Sequence, residues 1–182
     1  FAALLMIFKK GDNRVEVWKN RIEAYFSGDS SPDADYQANQ AKIAISTGKL
    51  FGKLPGGSTQ RNLLPQSNSD FIFAIIVEEY GLFGGTVLIL CYLAMMFRGV
   101  QIARKCDYAF AALMVLGLTI MIVFQAFTNM LVAVGLFPVT GQTLPMISWG
   151  RTSVVMISFS LGAILSVSRV MNARQRREKL SD

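Results

Sequence analysis

Histidine is absent from this 182-residue chain, so proton transfer or metal binding must rely on carboxylates, other oxygen ligands or water. Cysteine is scarce. Cys91 lies in an apolar run and Cys106 among the charges beside it; they form no disulfide framework, have no metal-ligand spacing, and read as packing residues. Charge is thin as well: charged residues make up 16% of the chain against 52% hydrophobic, which is too apolar for an ordinary soluble domain. A secretory leader is not visible either, because the apolar opening run 1–8 has no basic region before it and no small-residue cleavage site after it. That run is less than half the roughly 20 residues that span a bilayer, and reads as the end of a transmembrane helix in a fragment of a longer chain.

What is present is a set of long gaps between charges. No charged side chain occurs between Glu79 and Arg98, between Asp107 and Arg151, or between Arg151 and Arg169. Each gap is long enough to hold a membrane span. The pattern predicts three complete spans at about 71–97, 108–135 and 147–170, and an all-α polytopic membrane bundle. Between the last two, Gly135, Pro138, Gly141 and Pro145 punctuate an uncharged stretch, which predicts a tight, partly membrane-embedded turn.

Orientation follows from Lys and Arg in short connections. Arg98, Arg104 and Lys105, and the tail residues Arg169, Arg174, Arg176, Arg177 and Lys179, place the junction near residue 105 and the C-terminal tail in the cytoplasm, with residues 70–182 as one membrane unit. The polar segment 9–69 is then external, despite carrying half of the basic residues, because loops near sixty residues translocate largely regardless of charge. The basic tail reads as a topogenic anchor that attracts anionic membrane lipids; nucleic acid is not an expected partner.

The external segment has patterning of its own. Val15, Trp18, Ile22 and Tyr25 recur at helical spacing with Arg14, Lys19, Arg21 and Glu23 on other faces, which fits an amphipathic helix on the membrane surface or packed on the loop. Ser31, Pro32, Asp33 and Asp35 signal the start of a second helix and Gly48 its stop, with Gln37, Gln40, Ala41 and Ala44 sharing a face. The stretch 52–60, Gly-Lys-Leu-Pro-Gly-Gly-Ser-Thr-Gln, reads either as a linker or as a substrate-contacting loop.

Carboxylates near the membrane are the strongest chemical candidates. Asp70 stands where the external segment meets the first full span, and Glu78 and Glu79 lie about two turns further along that helix. An intramembrane carboxylate needs a partner, water or a role in chemistry. For Asp70 the structural alternative is a helix cap; for Glu78 and Glu79 it is a buried pair. Arg151, just inside the third span, is placed to pair with either glutamate or with an anionic lipid head group. Gly81 and Gly85 have the G-x-x-x-G spacing of close helix packing, and the nine methionines read as lipid-facing or gap-filling residues, not ligands.

Two longer motifs carry a resemblance. Leu64-Pro65, a short polar stretch, Asp70-Phe71-Ile72-Phe73-Ala74 and Glu78-Glu79-Tyr80-Gly81 form the first. Gln125 and Asn129, followed by Gly135-Leu136-x-Pro138-x-x-Gly141-x-x-Leu144-Pro145-x-Ile147-Ser148, form the second, with Tyr36-Gln37-x-x-Gln40 and Gly52 upstream. In this order they resemble the FtsW/RodA/SpoVE family of peptidoglycan glycosyltransferases, most nearly its FtsW-type C-terminal half. Two positions depart from the family pattern. Trp149-Gly150-Arg151-Thr152-Ser153 stands where the family usually has Tyr-Gly-Gly-Ser-Ser, and Asn68 where it often has His.

The resemblance implies ten spans in the whole protein and polymerisation of lipid II, the undecaprenyl-pyrophosphate-linked disaccharide peptide, into glycan strands in the bacterial inner membrane during cell division. Asp70 would be the general base. Positive charge for the departing pyrophosphate would come from Lys42, Lys49, Lys53, Arg61 or Arg151, or from a divalent cation such as Mg2+ or Mn2+. Gln37, Gln40, Glu78, Glu79, Ser148 and Ser153 complete the candidate substrate-binding set. A class B penicillin-binding transpeptidase and other divisome proteins are the implied partners. Lipid II translocation, motivated by Glu78, Glu79 and Arg151 as a polar path, and a divisome scaffold are the competing functions.

Overall fold

The computed structural model describes residues 19, 23, 32–54, 56–58, 71–138 and 141–181, with 32–35, 151 and 174–181 as backbone only. Among the described residues four helices have defined bounds: α1 (Pro32–Gly48), α2 (Ile72–Arg104), α3 (Ala109–Val134) and α4 (Arg151–Ser181). No strand occurs among the described residues. Three of the helices are long and apolar enough to cross a membrane: Ile72–Arg104, Ala109–Val134 and Thr152–Ala173. The chain is therefore a multi-pass helical membrane protein. Of the expected surface helix around residues 15–25, only Lys19 and Glu23 are described; both are helical and exposed, and pair at 3.7 Å in i,i+4 register.

Helices α2 and α3 pack against each other after the short connection at 105–108, as a connection of that length demands of antiparallel neighbours. Their closest approach is at Gly99, where an added Cβ would overlap the side chain of Thr119; small residues let helix backbones approach in this way. Helix α3 ends in a left-handed Gly135 (φ 80°), with Leu136 N–H reaching back to Leu131 O at 2.9 Å, the 6→1 bond of a glycine-stopped helix.

The buried residues fall in two clusters. The larger joins Ala41 and Ala44 of α1 to Phe71, to Phe73, Ala74, Val77 and Tyr92 of α2, and to Ala126, Met130 and Ala133 of α3. The smaller, at the other end of the bundle, joins Ala103, Val115 and Ile164. Outside them, Phe83, Phe97, Phe110, Phe124 and Phe159 stand exposed, an apolar surface that suits hydrocarbon and not water.

The third span starts later than its apolar pattern predicts. Residues 145–147 form a turn, with Met146 at φ 66°, and the helix begins only at Arg151. At the start of α2 the N-cap position belongs to the fully buried Phe71, which makes no side-chain cap bond. That is one residue beyond the position considered for Asp70, and Asp70 lies outside the described residues.

Candidate functional site

Helix α2 is interrupted. Gly81 adopts φ 72° and ψ −171°, a conformation essentially restricted to glycine. The interruption removes the i→i−4 bonds that Leu82 and Phe83 would have made to Glu78 and Glu79. Four orphan groups are left in the middle of a membrane-length helix, where each must find a protein partner.

The loop that follows α1 supplies all four. Lys53 N–H donates to Glu78 O at 3.0 Å and Leu54 N–H to Glu79 O at 3.1 Å, while Leu82 N–H donates to Lys49 O at 2.9 Å and Phe83 N–H to Leu50 O at 3.4 Å. The approach is backbone to backbone. A Cβ on Gly52 would collide with Glu79 O, and one on Gly81 with Leu50 O. The G-x-x-x-G spacing therefore has a different use at its first glycine from the helix-packing one expected: Gly81 breaks the span and admits a loop. An open apolar groove of about 960 Å³ runs beside this insertion, lined in part by Ile45, Leu50, Phe51, Val77 and Leu82.

Side chains reinforce the insertion. Glu78 is fully buried. Its Oε1 accepts from Lys53 Nζ at 2.8 Å and its Oε2 from Ser58 Oγ at 2.5 Å. A carboxylate buried at this depth requires such charge and hydrogen-bond compensation. The sequence offered Arg151 as the counter-ion; the structure gives Glu78 the cation Lys53, and the Arg151 side chain lies outside the described residues. Glu79, one position on, keeps a buried Oε1 with no hydrogen-bond partner among the described residues, as does the Oε1 of Gln40 on α1.

A second irregular segment folds back along α3. Asn129 Nδ2 donates to Gln142 O at 2.6 Å and Gln125 Nε2 to Thr143 O at 3.0 Å. Gln125 lies ten residues before Gly135, so the turn returns about 15 Å along the helix. Its tip is held from α2 by Tyr92 Oη, which donates to Pro145 O at 2.5 Å. Ser148 Oγ accepts from Leu144 N–H at 2.8 Å, and Thr143 Oγ1 donates to Ser153 Oγ at 3.0 Å. The hydroxyls of Ser148 and Ser153, candidates for substrate binding, thus hold the turn together.

The remaining candidates distribute as follows. Gln37 and Gln40 are half-buried on the α1 face that also carries the buried Ala41 and Ala44, as their spacing predicts. Lys42 is exposed and its chain lies over Gly135, at the C-terminal end of α3, where a helix dipole favours a cation. Lys49 is exposed at the start of the loop. Arg61 and Asp70 lie outside the described residues. Among the described residues no group of three or more His, Cys, Asp or Glu is placed to hold a metal ion, and both oxygens of Glu78 are already engaged by Lys53 and Ser58. Sequence reasoning passed over Tyr92 and Ser58. A phenol within a span is a usable signal, because a buried Tyr hydroxyl needs a partner; Ser58, in a Gly-rich stretch, carries none.

Residues 1–173 match the family model FTSW_RODA_SPOVE, described as "Cell cycle protein". The chain is 39% identical over 144 residues to "Probable peptidoglycan glycosyltransferase FtsW" of Bacillus subtilis strain 168, covering 79% of this chain and 36% of that one. It is 34% identical over 152 residues to "Peptidoglycan glycosyltransferase MrdB" of Escherichia coli K12, covering 82% of this chain and 41% of that one. A solved structure described as "Structural coordination of polymerization and crosslinking by a peptidoglycan synthase complex" superposes with a TM-score of 0.66 at 25% identity, covering 92% of this chain and 48% of that one. The chain thus spans less than half the length of each of these relatives.

Proposed function

The chain belongs to the FtsW/RodA/SpoVE family, and on that premise we propose that the intact protein is a peptidoglycan glycosyltransferase that polymerises lipid II, with Asp70 as its general base. The carrying observation is the loop at 48–58 built into the interrupted span. It brings polar backbone and charged side chains into a lipid-embedded helix, beside the apolar groove and just below the helix start at Phe71. A substrate with a sugar head and a polyprenyl tail needs that combination of a polar face and an apolar wall.

In the reaction, a sugar hydroxyl of one lipid-linked disaccharide attacks the anomeric carbon of another. The carbon–oxygen bond to pyrophosphate breaks, undecaprenyl pyrophosphate leaves, and the hydroxyl proton passes to the Asp70 carboxylate. Lys42 and Lys49, exposed at the end of the bundle where α1 packs, are the described cations available to the departing pyrophosphate, because Lys53 faces Glu78. Residues 9–69 lie on the external face of the inner membrane and the basic tail in the cytoplasm. A role in division, with a class B penicillin-binding transpeptidase and other divisome proteins as partners, follows from the FtsW-like motifs.

The test is the intact protein reconstituted in vesicles and given lipid II. Glycan polymer in the vesicles is the expected result. Movement of lipid II across the bilayer with no polymer would replace the reading by translocation. Normal growth of cells carrying Asp70→Asn would replace it by scaffolding.

A further inference from the structure

We propose that residues 49–54 form a lip that enters the membrane: Leu50, Phe51 and Leu54 sit in the hydrocarbon of the leaflet on the α1 side, with Lys49 at its phosphate layer. The lip is a lipid-binding surface and is independent of the glycosyltransferase reading.

Depth comes from the charges on α2. The helix carries none from Tyr80 to Phe97, a stretch of about 27 Å against a hydrocarbon core of about 30 Å. Glu78 and Glu79 therefore stand at the edge of the core, and Leu82 and Phe83 inside it. The end of α3 agrees. Counted from the contact of Gly99 with Thr119, Gly81 is about 27 Å along α2, and Val134, the last residue of α3, about 22 Å along its own helix. The two are at nearly the same height.

The chain after α1 descends past that edge. Gly48 lies against the carbonyl of Val77; Lys49 O then accepts from Leu82 N–H and Leu50 O from Phe83 N–H. The direction reverses at Gly52, with φ 73°, and Lys53 and Leu54 return to the carbonyls of Glu78 and Glu79. Leu50 and Phe51 are thus the tip of the loop, level with residues of α2 that lie beyond its last charge.

That tip is apolar and bare. Leu50, Phe51 and Leu54 are 65%, 88% and 73% exposed, in a short loop where water would make such a patch costly. Leu82 and Phe83 are exposed beside them, and Leu50, Phe51 and Leu82 line one groove. The surface of the loop is therefore continuous with the lipid-facing surface of the span, and the same occupant, hydrocarbon, covers both. Leu54 adds a separate observation. It adopts φ 78°, an outlier for a bulky side chain, while that side chain points away from the core. Such strain persists where the surroundings fix it; the bond to Glu79 O holds the backbone, and lipid around the side chain favours its outward direction. Lys49 is exposed at the α1 end of the loop, and its long stem lets the ammonium rise to the phosphates while the backbone stays low.

The test places a nitroxide at single cysteines, Lys49→Cys, Phe51→Cys and Leu54→Cys, in the intact protein without other reactive thiols. The protein is held in nanodiscs of phosphatidylethanolamine and phosphatidylglycerol. Collision with oxygen, which favours hydrocarbon, is compared with collision with a water-soluble nickel chelate. Nitroxides on a lipid head group and on the fifth carbon of an acyl chain set the scale. Labels at 51 and 54 are expected to give an oxygen-to-nickel ratio about fivefold or more above the head-group reference, because the core holds almost no water, and the label at 49 a ratio near that reference.

Ratios at 51 and 54 no higher than the head-group reference would overturn the lip, since the loop would then stand in water. Shielding of both labels from both reagents would also overturn it, because another part of the protein would then cover the patch. A ratio at 49 equal to the acyl-chain reference would overturn the phosphate contact. If the cysteine variants do not fold, Phe51→p-benzoylphenylalanine in the otherwise unmodified protein decides the matter. Illumination is expected to give phospholipid adducts by mass spectrometry, and adducts to protein alone would overturn the proposal.

Discussion

Leu82 N–H donates to Lys49 O at 2.9 Å, so a residue inside a membrane-length helix takes its hydrogen bond from the loop after α1. The break that makes this possible is at Gly81.

Replacing Gly81 by alanine forces a side chain into a glycine-only conformation and drives a Cβ against Leu50 O and Gly52 N. Stability should fall by about 1–3 kcal/mol from the backbone strain alone, read as a lower midpoint in thermal unfolding of the detergent-solubilised protein. Gly117→Ala is the control: Gly117 has nothing within 4 Å of an added Cβ, and the substitution should be neutral or stabilising by up to about 1 kcal/mol.

The returning turn is pinned to α3 by two amide side chains. Asn129→Leu and Gln125→Leu should each lower stability by about 0.5–1.5 kcal/mol, and each should raise the rate at which a thiol placed at Gln142 reacts with a water-soluble maleimide. A turn held by packing alone would leave that rate unchanged.

Tyr92→Phe removes one oxygen and the bond to Pro145 O while keeping the ring in the core. A fall of about 1–2 kcal/mol in unfolding free energy is expected, since a buried acceptor loses its donor. Tyr92→Leu should cost more by the lost packing.

Gly99 and Thr119 mark the crossing of α2 and α3. Gly99→Ala should destabilise, because its Cβ overlaps Thr119, and Thr119→Ala should relieve much of that loss. A double-mutant cycle should return a coupling of about 0.5–3 kcal/mol; strict additivity would mean that the helices do not meet there.

How far the sequence carries this fold differs by element. The charge-free gaps locate all three spans, because a bilayer admits little else, and the Gly-Pro punctuation after Gly135 locates the returning turn. The start of the third span was misplaced because Met146 and Ile147 are apolar and extend the hydrophobic run, while the positive φ at Met146 leaves no mark in composition. The break at Gly81 was hidden for a similar reason: its spacing to Gly85 fits helix packing equally well. The partner of Glu78 could not be read at all, since Lys53 stands 25 residues away in a stretch that resembles a linker, and only the folded chain brings the two together.

Asp70 as general base is tested by the initial rate of lipid II polymerisation by the intact protein against its Asp70→Asn variant, which keeps the shape of the side chain and removes the base. Polymer is expected from the unmodified protein, with a rate lower by about a hundredfold or more in the variant. Equal rates would contradict it.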